Sequence, residues 1–372
     1  MGDTDKVQQF YDDAKDNRLK MLPPDINSGD YRFVPVDETS IRYGLGAIKG
    51  TGEAAIASIL AARGQDGRFR DLFDFCARID ARLVNRRVIE SLIKAGAFDC
   101  IDGNRARLMA SVGIAMTAAE QATRNANQSS LFGGPQAPSA DLPAAIEKAP
   151  WDPAEKLQHE RAALGFYLSG HPFSAYAREF EQVVRTPLAR LSPSNADDGN
   201  KLTVIAGVVD AVRFQKTQQG RMLVLMLSDG TGSQEVTVYD EVANRHRDLV
   251  REDAVVVIEA KLKSYRRSGD EGETTVLRIA AERLYSVAGA RARFARALRL
   301  SMNGEASAHK LKQLLEPFRQ PSGSCPVTIH YRNREASADI VLGDDWRVVP
   351  DDKLIRSLHE WLSPDNVRFE YQ

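Results

Sequence analysis

Glycines next to a lysine, placed just before a predicted helix, are the residues of this chain best suited to binding a phosphate. The stretch GLGAIKGTGEAAI places Lys49, Gly50, Thr51 and Gly52 at that position. Glycines let backbone N–H groups approach a phosphate closely, and the helix N-terminus adds a favourable potential. This pattern is typical of a helix-hairpin-helix turn, which holds a DNA backbone without reading bases. An ordinary helix–helix turn also suits these glycines, so the turn alone leaves both interpretations open.

Basic residues accumulate around a second hairpin-like turn, AGAFD at 95–99. Neutralising DNA phosphates requires a cluster of this kind, although a solvated helix face would also explain it. The cluster consists of Arg82, Arg86, Arg87, Lys94, Arg105 and Arg107. From it we select Arg86, Arg87 and Lys94, together with the turn at 49–52, as candidate contacts to duplex DNA.

Composition limits the possible classes of protein. The chain has 372 residues, of which 43% are hydrophobic and 27% charged, and a formal net charge of -1, which suits a protein of two or more domains. Cys76, Cys100 and Cys325 form no CxxC pair, so a reducing cytoplasm is predicted. The six histidines lack ligand spacing, and no apolar run reaches the length of a membrane helix. We therefore expect no metal site and no membrane partner.

Hydrophobic periodicity predicts an α+β multidomain fold. Residues 41–120 have helical spacing and form the helix-hairpin-helix region, followed by a linker rich in Ala, Asn, Ser and Pro at 121–150. A helical connector at 151–195 precedes residues 200–288, where five strands with a helix after the third predict an OB-fold β-barrel. Residues 289–372 alternate strands and helices and predict a small C-terminal α/β domain.

Two predicted loops of the barrel carry basic and aromatic side chains. The loops that join strands one to two and four to five are those that OB-folds use to contact nucleic acid. Aromatic rings beside basic groups can stack on the bases of a single strand, although packing at the barrel rim is the alternative for each ring. The first loop carries Arg213, Phe214, Lys216 and Arg221, and the second carries Lys261, Lys263, Tyr265, Arg266 and Arg267.

The predicted linker contains an isolated apolar pair in the motif QSSLF, which comprises Gln128, Ser129, Ser130, Leu131 and Phe132. Gln128 can form an amide hydrogen bond while the Leu–Phe pair fills an apolar pocket on another protein. Capping of a neighbouring helix is the alternative, but polar residues before the motif and prolines after it are typical of disorder. The motif therefore predicts a short docking peptide.

The sequence contains no evident catalytic constellation. Two-metal phosphoryl transfer needs carboxylates that converge on two cations about 3.5–4 Å apart. The adjacent acids of this chain fall at predicted turns or helix ends, where solvated or capping acids are usual. No Ser-His-Asp or Cys-His arrangement is apparent either. We predict no active site and no cofactor in this chain.

Taken together, these motifs resemble one known family. The chain is similar, over essentially all of its residues, to the C-terminal third of the catalytic alpha subunit of bacterial DNA polymerase III. The similarity is strongest over 21–133 and weaker in the last eighty residues. The matching stretches are MLPPDINSGDYRF, IRYGLGAIKGTGEAAI, LVNRRVIESLIKAGAFD, NRARLM, QSSLFG, GFYLSGHPF and LSDGTGSQEVTVY.

The resemblance implies a role for each part. Residues 1–40 would end the fingers domain, and the helix-hairpin-helix region would bind duplex DNA behind the active site. QSSLF would bind the sliding clamp (beta), and the barrel would guide single-stranded template. Residues 289–372 would face the tau subunit of the clamp loader. The parent protein would be a DNA-directed DNA polymerase, a nucleotidyltransferase. Its palm, with the catalytic aspartates and Mg²⁺, would lie outside this chain, so the chain alone could not synthesise DNA.

Three alternatives remain open. The error-prone relative of the replicative subunit shares this region, although a well-formed clamp motif favours the replicative form. Bacterial DNA ligases also combine an OB-fold with helix-hairpin-helix motifs, but they place the barrel before the hairpins, and their KxDG motif is absent here. A pure interaction scaffold that makes no contact with DNA is the third alternative.

Overall fold

The structure is a computed structural model of the 372-residue chain. It describes residues 7, 10, 11, 13 and 14, and then 17–132, 144–196, 201–217, 220–269, 272–303, 305–320 and 325–371. Within these ranges, the side chains of residues 126–132, 216–217, 220–221, 267–269 and 272–273 lie outside the described set. The chain divides into two compact units, Met1–His171 and Pro172–Gln372.

The first unit combines a small sheet with a group of helices. Strands β1 (Lys20–Leu22), β2 (Val34–Asp37) and β3 (Ser40–Arg42) lie in the order β1-β3-β2, with β1 parallel to β3. The helices are α1 (Glu53–Asp66), α2 (Leu72–Arg78), α3 (Arg86–Ala95), α4 (Arg105–Phe132) and α5 (Pro153–Leu164). They enclose an apolar core that includes Ile56, Phe75, Ile89, Leu92 and Phe98.

Capping residues mark the helix ends of this unit. The side chains of Asp71, Asn85 and Asp152 each accept a hydrogen bond from the third amide of the helix that follows. Gly96 and Gly165 end α3 and α5 with φ angles of 86° and 95°, in the left-handed region that glycine adopts at low cost. These short, well-capped helices hold the turns between them in fixed positions.

Helix α4 is longer than the sequence predicted. The helix was expected to end near residue 120, but it continues to Phe132 and so includes the first part of the predicted linker. Alanine, glutamine, glutamate and arginine dominate residues 118–124, and all four are strong helix formers. The composition that suggested a linker is therefore also that of an exposed helix.

The chain after the linker returns to the start of α4. Residues 144–150 have no regular secondary structure. The Ile146 N–H donates to the Ser111 hydroxyl at 2.9 Å, and the Asn104 side-chain amide donates to the Lys148 carbonyl at 2.8 Å. These bonds hold the segment that leads into α5 against α4.

A buried ion pair joins α3, α4 and α5. The Arg105 side chain is 3% exposed and donates two hydrogen bonds of 2.7 Å to the carboxylate of Asp99. Its third nitrogen donates to the Lys94 carbonyl at 3.1 Å and lies 3.5 Å from the carboxylate of Glu160, which is 1% exposed. Glu160 in turn accepts the N–H groups of Leu168 and Ser169 at 2.9 and 2.8 Å. The pair therefore fixes the end of α3 and the loop after α5.

The second unit begins within the predicted connector, at Pro172, and contains a closed five-stranded barrel. Its strands are β4 (Leu202–Thr217), β5 (Gly220–Ser228), β6 (Ser233–Tyr239), β7 (Val255–Gly269) and β8 (Gly272–Tyr285). They lie in the order β4-β5-β6-β8-β7, and the short helix α7 (Asp240–Arg245) follows β6. This confirms the predicted OB-fold. Of the predicted connector, α5 belongs to the first unit, and residues 172–195 contain only the one-turn helix α6 (Ser174–Ala177) and 3-10 turns among the described residues before the barrel.

The two loops predicted to bind nucleic acid are strands. The ladder between β4 and β5 continues to the pair Thr217–Gly220, and the ladder between β7 and β8 continues to Gly269–Gly272. The prediction of loops was wrong: the polar residues of these segments lack the alternation of a half-buried strand, and their sequence therefore suggested loops. An antiparallel ladder can nevertheless extend past a barrel, since its backbone hydrogen bonds do not require burial. We call these extensions the first ribbon (211–217 with 220–225) and the second ribbon (261–269 with 272–280).

The C-terminal part of the second unit is a four-stranded sheet with helices. Strands β9 (Ala295–Met302), β10 (Val327–Arg332), β11 (Ser337–Val341) and β12 (Val367–Tyr371) lie in the order β11-β10-β9-β12. Strands β9 and β10 are parallel, and the outer strands are antiparallel to their neighbours. Helices α9 (Ala308–Leu315) and α10 (Asp352–Leu362) contribute Leu311, Leu354 and Leu358 to its core.

A second buried arginine connects the parts of this unit. Arg291, on helix α8 (Val287–Phe294), is 3% exposed and contacts Glu179 of the connector at 2.7 Å and Asp352 of α10 at 2.7 Å. The Tyr371 hydroxyl donates to the same Glu179 carboxylate at 2.7 Å, and burial together with that negative charge raises the pKa of Tyr371. Arg291 thus ties the connector to the C-terminal sheet.

Replacing Arg105 by leucine should strongly destabilise the first unit, because Glu160 would stay buried without its partner cation. Breaking a buried ion pair in this way costs about 3–5 kcal/mol of the free energy of unfolding. Arg107→Leu is the matched control, since Arg107 is half-buried and pairs with Asp102 at 2.9 Å nearer the surface. Urea unfolding followed by circular dichroism measures both variants. Equal destabilisation by the two changes would contradict the structural role of Arg105.

Candidate nucleic-acid interface

The turn at 49–52 has the backbone geometry of a tight hairpin. It joins a 3-10 helix, Leu45–Ala47, to α1. Gly50 has a φ of 83°, an angle that a residue with a Cβ atom adopts only with strain. The Thr51 hydroxyl lies 2.9 Å from the Leu45 carbonyl and 2.7 Å from the Ile48 carbonyl. Its single proton is therefore used inside the turn, and Thr51 shapes the turn instead of facing a ligand.

Backbone N–H groups of this turn differ in their availability. The Lys49 N–H donates to the Ala163 carbonyl at 2.8 Å, so it serves the fold. Within the described ranges, the N–H groups of Gly50 and Gly52 have no protein acceptor, and no side chain caps α1. A Cβ atom at Gly52 would have no neighbour within 4 Å. The turn thus offers accessible donors at the positive end of a helix dipole.

Helix α3 brings cations to this turn. A Cβ atom at Gly50 would lie 3.4 Å from the Ser91 hydroxyl of α3. Arg87 is four residues before Ser91 and Lys94 three residues after it, so both lie on the face that contacts the turn. Arg87 is exposed and Lys94 half-buried. Together they offset Glu53, the exposed acid in the first turn of α1 that opposes an anion.

Three other basic residues are engaged within the protein. Arg86 pairs with Glu90 at 2.7 Å on the exposed side of α3. Arg105 is buried, and Arg107 donates to Asp102 at 2.9 Å, which raises the pKa of Arg107. The prediction that Arg105 belongs to a phosphate-binding cluster was therefore wrong, because acids in the core compensate its charge. The cations next to the turn are fewer than the sequence suggested.

The first ribbon carries one strongly exposed aromatic ring. Phe214 is 83% exposed, and Arg213 beside it is exposed as well. Lys216 and Arg221 face each other across the ladder near the end of the ribbon, but their side chains lie outside the described residues. Phe214 lies opposite Leu223 of β5 in the same ladder.

The second ribbon carries cations and a tyrosine on its outer face. Lys263 is exposed and lies opposite Arg278, and Tyr265 is 47% exposed. Lys261 is bound to Glu282 at 2.9 Å, which lowers its value as a phosphate contact. Arg266 is exposed on the other face, and the side chain of Arg267 lies outside the described residues. Sequence reasoning missed Arg278, which only the strand register brings beside Lys263.

Tyr239 is a further candidate that sequence reasoning missed. It ends β6, is 45% exposed and lies opposite Met222 of β5. Strands two and three of an OB-fold form the surface on which nucleic acid lies. The signal was present in the stretch QEVTVY, because Val236 and Val238 are buried and the alternation directs Tyr239 outward.

The remaining predictions concern docking, metals and membranes. Residues 128–132 are helical in their backbone, while the side chains of Gln128, Ser129, Ser130, Leu131 and Phe132 lie outside the described residues. Their role in clamp binding stays a prediction. Among the described residues, no His, Cys, Asp and Glu side chains gather in threes as metal ligands would. No helix in the same part of the chain is long and apolar enough to cross a membrane.

Three protein-family models match separate parts of the chain. A model of the helix-hairpin-helix motif matches residues 18–108, which include the turn and α3. A model of an OB-fold nucleic acid binding domain matches residues 203–285, which form the barrel. A model of the C-terminal domain of the DNA polymerase III subunit alpha matches residues 310–362.

Curated proteins called DNA polymerase III subunit alpha match the entire chain. That of Neisseria meningitidis serogroup B is 39% identical over 373 residues, which are 100% of this chain and 32% of the relative. Those of Vibrio cholerae and Escherichia coli K12 are 38% and 36% identical over 383 residues, with the same coverage of 100% and 32%. The chain thus spans about a third of the length of these relatives.

Among solved structures, the mitochondrial single-stranded DNA-binding protein Rim1 of S. cerevisiae aligns with 23% of this chain and 92% of its own, at 23% identity. The TM-score of this alignment is 0.20. The curated relatives and the C-terminal family model both name the DNA polymerase III subunit alpha. Along its whole length, the chain therefore matches a C-terminal part of DNA polymerase III alpha subunits.

Proposed function

We propose that this chain is the non-catalytic DNA-binding and docking part of a replicative DNA polymerase III alpha subunit. The observation that carries the proposal is the turn at 49–52, where the N–H groups of Gly50 and Gly52 are accessible beside Arg87 and Lys94. Such a turn holds backbone phosphates of duplex DNA without reading bases. Similarity along the whole chain to polymerase subunits supports this role over the ligase alternative.

The barrel would bind the single-stranded template. Phe214 and Tyr265 are aromatic rings that stand exposed on the two ribbons, and Tyr239 is exposed on β6. Exposed rings of this kind stack on bases of any sequence, while Lys263 and Arg278 attract the backbone. Duplex and single strand would thus contact different units of the chain.

Two protein partners complete the proposal. The QSSLF motif at the end of α4 would dock into an apolar groove of the sliding clamp, and the C-terminal sheet would contact the tau subunit of the clamp loader. The match of residues 310–362 to the C-terminal domain of alpha subunits supports the second contact. DNA synthesis and its Mg²⁺ ions would belong to other parts of the whole polymerase, which works in the cytoplasm.

Gly52→Val should weaken binding of the full chain to duplex DNA. Gly52 has ordinary extended angles, φ -81° and ψ 157°, so valine fits the backbone while its methyl groups obstruct the approach of a phosphate. Each phosphate contact that is lost should lower the slope of log affinity against log salt by about 0.9. Gly343→Val, also in open space, is the matched control for fluorescence anisotropy titrations. Unchanged affinity in a folded Gly52→Val protein would overturn the role of the turn.

Phe214→Ala combined with Tyr265→Ala should weaken binding to single strands more than to duplex. Each stacked base contributes about 1–3 kcal/mol, and a duplex keeps its bases away from the rings. Val341→Ala, which removes an apolar side chain that is 71% exposed elsewhere in the same unit, is the control. The measurement compares dissociation constants for oligothymidine and for a duplex of equal length. Equal losses on both would show that the ribbons act only through charge.

Leu131→Ala combined with Phe132→Ala should abolish detectable binding to the clamp. Each apolar anchor of a docking peptide contributes about 2 kcal/mol or more, and Gln128→Ala should cause a smaller loss. Duplex binding should not change, since the motif lies far along α4 from the turn. Arg124→Ala, on the exposed part of the same helix, controls for effects on helix stability. Surface plasmon resonance on immobilised clamp tests this, and persistent binding of the double variant would refute the docking role.

A further inference from the structure

Further basic side chains lie near the hairpin turn, on α5 and on the segment that enters it. The Lys49 N–H bonds to the Ala163 carbonyl, so the turn sits at the C-terminal end of α5. His159 is one helical turn before Ala163 on the same face of α5, about 6 Å along the axis. Trp151 stacks on the His159 ring at a centroid distance of 4.1 Å. The imidazole is thus held in place next to the turn.

Two lysines lie on elements that adjoin α5. Lys94 lies at the end of α3, and its carbonyl accepts a hydrogen bond from Arg105. Lys148 lies in the segment before α5, and its carbonyl accepts a hydrogen bond from Asn104. Lys148 is exposed, and Lys94 and His159 are half-buried. Burial first, and then the positive charges of Lys94 and Lys148, lower the pKa of His159. The cluster therefore concentrates positive charge in one place.

One acid opposes this group. Glu155 lies 3.8 Å from the His159 ring and acts to raise its pKa, but less than burial and Lys94 act to lower it. Glu160 lies beneath the surface and is compensated by Arg105. The ring therefore stays mostly neutral near neutral pH, and two lysine charges face solvent beside it. A cluster of cations that repel one another is stabilised when an anion binds among them.

We propose that Lys148 and His159, together with Lys94, which also borders the hairpin turn, form a second contact with the backbone of duplex DNA, next to the contact made by the turn. The inference rests on the proposed binding of duplex at residues 49–52 and extends it onto α5 and the segment before it. A phosphate beside the cluster satisfies the two lysines, and it stabilises the protonated form of His159. Binding is then coupled to the uptake of a proton.

The sign of the pH dependence follows from this coupling. In the free protein the pKa of His159 lies below its ordinary value, and a bound phosphate raises it again. Affinity for duplex should therefore rise as the pH falls from about 7.5 toward about 5.5, the range in which histidine titrates.

The experiment measures duplex affinity of the full chain by fluorescence anisotropy, as a function of salt and of pH. Lys148→Gln should lower the salt slope by about 0.9, the loss of one phosphate contact. His159→Gln should remove most of the increase in affinity at low pH. Lys20→Gln, an exposed lysine on β1, and His309→Gln, an exposed histidine on α9, are the matched controls.

The outcomes separate this inference from the proposed function. If the unmodified chain binds duplex and Gly52→Val weakens it, but Lys148→Gln and His159→Gln bind like their controls, the second contact is refuted while the hairpin contact stands. If the unmodified chain does not bind duplex, both fail together. Circular dichroism of each variant confirms that it is folded, and a reduced slope with a flattened pH profile supports the inference.

Discussion

The guanidinium group of Arg105 is the contact on which the candidate duplex interface depends. It lies almost fully buried between Asp99, the Lys94 carbonyl and Glu160, and so fixes the end of α3 against α5. Glu160 then holds the loop after α5 through two backbone N–H groups. The Lys49 N–H of the turn donates to the Ala163 carbonyl near the end of α5. The turn and α3 are therefore both fixed to α5, which sets the distance between them.

A buried charge network of this kind is costly to assemble but specific in its geometry. Replacing both charges with apolar groups could preserve stability, whereas removing one leaves a charge without compensation. The benefit to function is positional, since Arg87 and Lys94 would face a phosphate only if α3 is held at the correct distance from Gly50. In the second unit Arg291 has a similar role, because it ties the connector and α10 to the helix that follows the barrel.

The sequence predicted the types of element better than their ends. Five strands with a helix after the third were predicted for the barrel, and the structure contains them in that sequence. The ribbons were not predicted, since exposed polar residues such as Lys263 give no strand pattern and only the backbone ladder extends the strands through them. Arg105 was placed among surface cations because a sequence does not reveal that a distant acid, Glu160, is buried opposite it. Arg278 depends on strand register, which becomes evident only in three dimensions, whereas the alternation in QEVTVY already indicated that Tyr239 points outward.

The central claim is that backbone N–H groups of the hairpin turn bind phosphates of duplex DNA. Amide hydrogen exchange of the full chain, with and without duplex, tests it at the atoms concerned. Exchange should slow at Gly50, Gly52 and the first residues of α1 when duplex is added, while amides in α9 stay unchanged. Exchange at the turn that is equally fast with saturating duplex would contradict phosphate binding by these N–H groups.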